Sequence, residues 1–501
     1  MRFERSAPAT LAEWEAVWAK TSLPAGMWLD GEWNAALDGS VATLVTPRDG
    51  SDLTVVPAGR AEDVDRAVAG ARRAFEAGTW SRLPPRERGD VLLRWADLME
   101  EHREELALLI ALEMGKPAAT AWAVEVRTSI GLVRWYGELA DKLMDESPRG
   151  RPDSVAIVSR EPLGVVAAIT PWNFPMTLSC FKVPAALVAG NSVVLKPASQ
   201  TPLSMLRVAE LGSRAGLPDG VFQVVTGSGP VIGDALARHR GVDTLSFTGS
   251  PAVGARLLRA AGESNLKPVA LELGGKSPNL IFEDVDDLDA AMDTAAWAIA
   301  FNSGQMCTAG SRLLVHASLH DEVVAGVTER LAAVRAGDPL DPSTEFGPLA
   351  TRRHREDVAA EIRRGRESGA RLVLGSEEIP GGPGFHLPPA VFTGVSPGDR
   401  LAQHEIFGPV LSVLSFHDED EAIVIANHSD YGLGASVWTG SLRRAHQVSR
   451  RIVAGTVWVN CFEEGDASVP FGGRKLSGHG ADKSVHGLDK FTALKTTWMA
   501  L

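Results

Sequence analysis

The sequence predicts an α/β protein with two doubly wound, mostly parallel sheets and a small separate β-sheet. Three observations predict it. Between residues 165 and 273, short apolar runs at 165–169, 192–195, 221–225, 244–247 and 269–273 alternate with helical stretches at 181–189, 203–215, 231–239 and 252–261. Runs of that length, rich in Val, Ile and Leu and separated by helices, are strands of a parallel sheet buried on both faces. The same alternation recurs more loosely from 279 to 459. Finally, 154–160 and 490–499 read as strands outside both series, the latter from its alternating Thr, Leu and Lys; their edges call for pairing with another element or subunit.

The remaining elements follow in order. Residues 11–19 form an amphipathic stretch. From 61 to 142 apolar residues recur at helical spacing, broken at Pro84-Pro85, with Arg86 opening the next helix. Residues 149–153 are a turn. With 501 residues, two or three domains and ample core are expected. The formal charge of −13 is spread along the chain, against nucleic acid or an anionic membrane as partner. No run approaches the roughly 18 apolar residues of a membrane helix, and the first residues lack a signal-peptide core. Three dispersed cysteines make no disulfide framework, so the cytoplasm is the expected compartment. No metal ligand set is assigned.

Cys307 lies in the polar, glycine-containing segment 301–312, between a helical stretch and a strand. A thiol on such a connection is placed to meet a substrate. Glu272 sits at the end of an apolar strand, just before Leu273-Gly274-Gly275. A carboxylate there is costly unless it has a function. A cysteine nucleophile with a glutamate base suits acyl chemistry.

With these segments, the ordered motifs Thr170-Pro171-Trp172-Asn173-Phe174-Pro175, Val194-Leu195-Lys196-Pro197, Phe247-Thr248-Gly249-Ser250, Glu405-Ile406-Phe407-Gly408-Pro409 and Pro470-Phe471-Gly472-Gly473 resemble the NAD(P)-dependent aldehyde dehydrogenases. The resemblance runs from about Met27 to the C-terminus. The spacing from Glu272 to Cys307 is one residue longer than the family pattern implies, and the acidic stretch 283–287 is expected to hold the extra residue as a surface turn. The resemblance implies a Rossmann-like cofactor-binding domain (1–142 and 163–273), an α/β catalytic domain (274–476) and oligomerisation strands (143–162 and 484–501) of a homodimer or homotetramer.

It also implies the chemistry. Cys307 attacks the aldehyde, Asn173 and the Cys307 N–H stabilise the oxyanion, Glu272 activates water for thioester hydrolysis, and Lys182 belongs to the same catalytic set. A general base at Glu272 favours the free acid as product.

For the cofactor, Gly227-Ser228-Gly229-Pro230-Val231-Ile232-Gly233 has G-x-G-x-x-x-G spacing, near the dinucleotide fingerprint without matching it. The segment from Phe247 through Gly249 and Ser250 to Val253 is the stronger phosphate site, because it joins a strand to a helix N-terminus. By resemblance, Gly249 allows close backbone approach to the pyrophosphate and Ser250 sits beside it. Ile169, Thr170, Pro171, Trp172, Gly229, Gly233 and Leu273 complete the site, with Glu405 and Phe407 at the nicotinamide ribose and ring. Lys196 would meet the adenosine ribose. Ser199 stands where NAD-preferring relatives often carry a glutamate, which leans the cofactor towards NADP with NAD also usable.

The pocket implied by the resemblance contains Phe174, Leu178, Phe181, Met306, Thr308, Glu464, Asp466 and Phe471. Three acids in the loop 462–469 read either as solvated charge or as a site for the cation of an aminoaldehyde. Other segments resemble the subfamily acting on γ-glutamyl-γ-aminobutyraldehyde and 4-guanidinobutyraldehyde, from polyamine breakdown. The stretch 196–202 instead resembles NADP-linked succinic semialdehyde dehydrogenases. An esterase side activity and a non-catalytic binding protein are the alternatives from other classes.

Overall fold

The computed structural model describes residues 6–501. Its larger sheet has eight strands. Five are parallel, in the order Val269–Glu272, Thr244–Thr248, Val165–Ile169, Ser192–Lys196, Phe222–Val224. The chain starts at Val165–Ile169, winds outwards to one side, then returns to wind the other way. Its switch point therefore lies between Val165–Ile169 and Thr244–Thr248, where the carboxyl ends of neighbouring strands open a ligand crevice.

The period-two alternation explains why these strands are apolar throughout. Val166, Ala168, Val193 and Leu195 pack against the helices Pro85–Glu101, Arg127–Leu139 and Leu203–Ala215. Val165, Ala167, Ile169 and Val194 face Ala61–Ala77, Asp234–Arg238 and Pro251–Gly262 on the other side. The second sheet repeats the plan with seven strands, all parallel except the edge strand Arg371–Leu374. Leu280, Leu314 and Val437 face one core, and Ile281, Leu313 and Trp438 the other. Ser154–Pro162 and Thr492–Ala500 pair antiparallel as a separate two-stranded sheet.

The departures from expectation have local causes. The antiparallel strands Met27–Leu29 and Glu32–Asn34, which extend the first sheet, and the hairpin of Val41–Val45 with Asp52–Pro57 are too short for a periodic signal. The long helical region contains a π-helical turn, Ala121–Val126. The expected helix at 231–239 opens with another, Gly229–Gly233. The helix expected at 181–189 starts at Val183, with Pro184 in its first turn. Gly478–His479 returns to the first sheet and pairs with Leu271-Glu272. The last strand starts at Thr492 rather than Lys490, because Val485–Phe491 is a 3₁₀ turn that tucks Lys490 inward, its side chain only 8% exposed. The acidic stretch 283–287 is a turn; Arg444 pairs with Glu283 and Asp284, and Asp287 caps the helix Leu288–Ala300. Among the described residues, no helix is long and apolar enough to cross a membrane.

Candidate active site

Cys307 follows a strained segment. Asn302 and Ser303 adopt positive φ (53° and 55°), and polar side chains pin them there. Asn302 Nδ2 donates to the Asn173 and Gln305 carbonyls (both 3.0 Å), Gln305 Nε2 returns a bond to Asn302 O (2.9 Å), and Ser303 Oγ donates to Gly347 O (2.7 Å). Asn173 is buried; its Nδ2 donates one hydrogen bond to Gln305 O at 3.0 Å. A side-chain amide carries two such hydrogens, so one remains for a ligand. The Cys307 thiol is half-buried at the base of a cavity of about 1430 Å³. Burial pushes its pKa up, and the charges of Glu463, Glu405 and Glu272 add to this. It rests as a thiol and needs a base.

Glu272 is buried, and neither carboxylate oxygen has a protein partner. Burial raises its pKa well above the ordinary value; the charge of Asp482 adds to this, while Lys182 and Lys490 oppose it. A buried acceptor without a partner is costly and marks a place for water or substrate. The glycines after Glu272 make the site compact. A β-carbon at Gly274 would strike the Glu405 carboxylate, and one at Gly275 the Cys307 carbonyl. Only glycine lets three chain segments meet here.

Lys182 Nζ donates to Asp482 Oδ2 at 2.7 Å, with both side chains at 1% exposure or less, and Lys490 pairs with the other oxygen. Burial alone would raise the Asp482 pKa; the two ammonium groups outweigh it and hold Asp482 low. Asp482 and Lys490 were not read from sequence as site residues; the Thr/Leu/Lys alternation placed Lys490 only as the start of the last strand.

The expected cofactor residues gather at the carboxyl ends of the parallel strands. Ile169, Thr170, Pro171 and Trp172 follow one strand, Lys196 ends the next, and Phe247, Gly249 and Ser250 end a third. The fit to a dinucleotide is good. Ser250 precedes the twelve-residue helix Pro251–Gly262, is exposed, and makes no side-chain cap bond, which leaves an open helix N-terminus. A β-carbon at Gly229 would meet nothing, and one at Gly233 only Ile169 at 3.8 Å, so both border open space. Val253 and Leu273 pack beside Phe247 beneath this entrance.

The space of the side chain that Gly249 lacks is filled by the Phe247 ring, and its N–H donates to Glu272 O at 3.0 Å, so this glycine also serves internal packing. Lys196 is buried, donates to Pro197 O at 2.9 Å, and has its pKa lowered to about 8 by desolvation. Ser199 is exposed and donates to Gly227 O at 2.9 Å. Glu405 accepts from Gly275 N at 2.9 Å, and burial raises its pKa to about 7. Phe407 has φ of 59°. His354 Nε2 donates to the Phe407 carbonyl at 2.8 Å, and Trp172 meets both rings edge-on at 5.2 and 5.4 Å.

All eight pocket residues expected from sequence line the cavity with Cys307, as does Phe462 of the expected loop, together with Trp135, Trp297, Phe301 and Trp458, which the sequence did not single out. Asp466 departs from the cation-site reading. It is exposed, and its Oδ1 already accepts from Ser468 N (2.7 Å) and Ser468 Oγ (2.6 Å). Glu464 is exposed as well. The least exposed acid of this loop is Glu463, half-buried with one oxygen enclosed and unpartnered; desolvation pushes its pKa up while the Thr308 hydroxyl pulls it down. A second buried device also escaped the sequence. Lys116 and Glu125, at 1% and 0% exposure, pair behind Asn173. Lys116 Nζ also donates to Asn173 O (3.2 Å) and sits 3.8 Å from the Phe174 ring centre. Glu125 Oε1 accepts from Met176 N (3.0 Å) and Thr177 N (3.4 Å). No sequence spacing links residues brought together by the π-helical turn.

A half-buried thiol, an amide donor and an unpartnered carboxylate thus converge where a dinucleotide crevice meets an aromatic cavity. Comparison with known proteins points the same way. Residues 33–497 match the aldehyde dehydrogenase family. The chain is 45% identical to the NADP/NAD-dependent aldehyde dehydrogenase PuuC of Escherichia coli, over 98% of this chain and 99% of that protein. It is 46% identical to the aminoacetaldehyde dehydrogenase of Pseudomonas aeruginosa, over 97% and 98%. Its structure superposes on the γ-glutamyl-γ-aminobutyraldehyde dehydrogenase of Burkholderia cenocepacia with a TM-score of 0.96 at 48% identity, covering 98% and 100% of the two chains. Site and similarity agree over nearly the whole length: the chain belongs to the aldehyde dehydrogenase family.

Proposed function

We propose that this NAD(P)-dependent aldehyde dehydrogenase oxidises ω-amino- or guanidinoalkyl aldehydes to carboxylic acids, with Lys182, paired to Asp482, in the catalytic set and roles for Cys307, Asn173 and Glu272 as follows. Cys307 gives its proton to a base and bonds to the aldehyde carbon. The free N–H of the Asn173 amide and the Cys307 N–H hold the resulting oxyanion. A nicotinamide held beside Glu405 and Phe407 would supply the hydride acceptor, and loss of hydride from the Cys307-bound carbon would leave a thioester. Glu272 takes a proton from water, the hydroxide displaces the sulfur, and the acid departs. The observation that carries hydrolysis, rather than transfer to another acceptor, is Glu272 itself, buried with both oxygens free for water.

The aminoaldehyde assignment is supported by the similarity to PuuC, to the aminoacetaldehyde dehydrogenase and to the γ-glutamyl-γ-aminobutyraldehyde dehydrogenase. NADP is favoured because Ser199, not a carboxylate, lies near Lys196. We assign the sheet of Ser154–Pro162 and Thr492–Ala500 to a homodimer or homotetramer contact, because Leu494 and Trp498 stand 61% and 59% exposed on it. The cytoplasm is the proposed compartment, supported by three free cysteines. Steady-state rates for a panel of aminoaldehydes and semialdehydes with NAD and NADP test the reading. The highest kcat/KM is expected for an aminoaldehyde with NADP; uniformly poor turnover of amine-bearing aldehydes would overturn the substrate class.

A further inference from the structure

One buried charge beside the cofactor crevice makes no hydrogen bond. Lys276 is 2% exposed, and its Nζ has no partner among the described residues. The other buried lysines are engaged: Lys116 with Glu125, Lys182 with Asp482, and Lys196 and Lys267 with main-chain carbonyls. A buried ammonium without a hydrogen bond is costly, and groups kept at such a cost gather at functional sites.

The fold shows which acid Lys276 serves. It follows Gly274-Gly275, the backbone on which the Glu405 carboxylate rests. Gly275 N donates to Glu405 Oε1 at 2.9 Å, and a β-carbon at Gly274 would strike Oε2. The cation whose charge acts on Glu405 is Lys276. The other groups around the pair are committed elsewhere. Arg312 directs its guanidinium to the carbonyls of Lys276, Ile425, Ala426 and His428, at 2.8 to 3.4 Å. Glu361, the second acid that acts on Lys276, is paired with Arg400 at 2.8 Å and with Arg364. His404 lies 3.9 Å from Glu361, and desolvation lowers its pKa. Cys307 and Tyr431 rest uncharged, because burial raises both. Glu405 is the acid left for Lys276.

We propose that Lys276 is a positioning residue for the cofactor, acting through Glu405 by holding it in the carboxylate form that accepts from the nicotinamide ribose hydroxyls. An ionised acceptor bonds roughly twice as strongly as a neutral one. Desolvation lifts Glu405 to about 7 and lowers Lys276 to about 7, so both titrate in the neutral range, where the charge of one decides the form of the other. The proposal rests on the reading of Glu405 as the ribose acceptor and adds the group that keeps it ionised.

The test is calorimetric binding of NADP and of NAD, without aldehyde, to the unaltered enzyme, Lys276→Met, Glu405→Gln and the double variant, across the neutral pH range. Glu405 must be ionised to accept, so affinity in the unaltered enzyme falls as pH drops through about 7. In Lys276→Met the carboxyl lacks its cation and ionises at higher pH, which moves that fall upward. Binding of both cofactors should be about tenfold weaker near neutral pH, and within about twofold of the unaltered enzyme two units higher. With Glu405→Gln already in place, Lys276→Met should change the dissociation constant by less than about twofold. Equal weakening at every pH, the same loss on the Glu405→Gln background, or a loss confined to NADP overturns the action through Glu405. An unchanged dissociation constant in Lys276→Met, with Glu405→Gln weakened, overturns the proposal alone. No effect of Glu405→Gln on either cofactor overturns the reading of Glu405 as well. Denaturant titration should find Lys276→Met at least as stable as the unaltered enzyme, because no hydrogen bond of Nζ is lost. Failure of both Lys276→Met and Lys276→Gln to fold would overturn the proposal, since the lysine would then serve the structure.

Discussion

Replacing Lys116 with methionine separates the framework of the oxyanion site from its chemistry. The ammonium it removes is 1% exposed, pairs with a Glu125 that is fully buried, holds the Asn173 carbonyl at 3.2 Å and lies 3.8 Å from the Phe174 ring centre. Breaking one half of a buried pair leaves an uncompensated charge, worth about 3–5 kcal/mol. Two bonds to the Met176 and Thr177 amides remain at Glu125 Oε1 and offset part of the loss, so the lower end, about 3 kcal/mol, is expected. The double variant Lys116→Met/Glu125→Gln keeps an acceptor for those amides without the buried charge and should recover most of the stability. Denaturant titration of the four members of the cycle gives the coupling. Because Asn173 loses one of its two carbonyl partners, kcat should fall about tenfold in Lys116→Met and stay low in the double variant, with the KM for NADP nearly unchanged. A single variant less than about 1 kcal/mol destabilised would refute the ion-pair argument. Full kcat in the double variant would refute the positioning of Asn173.

Further outcomes follow from the same geometry. Glu272 must be ionised to deprotonate water, and burial holds its pKa well above the ordinary glutamate value, so activity is lost as pH falls through that raised value; an acid limb of kcat at the usual glutamate position, about 4.3, would contradict this. Ser199→Glu should move the kcat/KM preference towards NAD by about tenfold, or ~1.4 kcal/mol, since a carboxylate there opposes a 2′-phosphate; strong NAD preference in the unaltered enzyme would remove the basis for this. Asp466→Asn should raise KM for aminoaldehydes by no more than about fivefold, the range of an exposed pair, because Asp466 stands in solvent; a hundredfold rise would mean that the loop closes over the substrate.

The parallel strands were legible because burial on both faces forces continuous apolar runs, and Val165–Ile169 is buried at every residue. Cys307, Glu272 and Asn173 were legible because each interrupts a structural pattern with a reactive group beside glycine, proline or a strand end. The residues that support them were not. Lys116 reaches Glu125 through a π-helical turn, and Asp482 meets Lys182 across 300 residues of chain, contacts that no local spacing encodes. Lys490 was read as the start of the last strand, whereas it lies in a 3₁₀ turn with its side chain buried against Asp482. Charge in the pocket loop was legible as composition, but burial decides its effect: Asp466 is exposed, whereas Glu463 has an oxygen buried without a partner.

The central claim is that Cys307 carries the acyl group and Glu272 releases it. Intact-protein mass measurement of Glu272→Gln, after mixing with a saturating aldehyde and NADP, tests both halves together. The predicted result is one acyl adduct per chain, located on Cys307, with one equivalent of NADPH formed and steady turnover reduced by about 10²–10⁴-fold. Absence of any adduct together with loss of the first NADPH equivalent would contradict the account, because Glu272 would then act before the thioester forms.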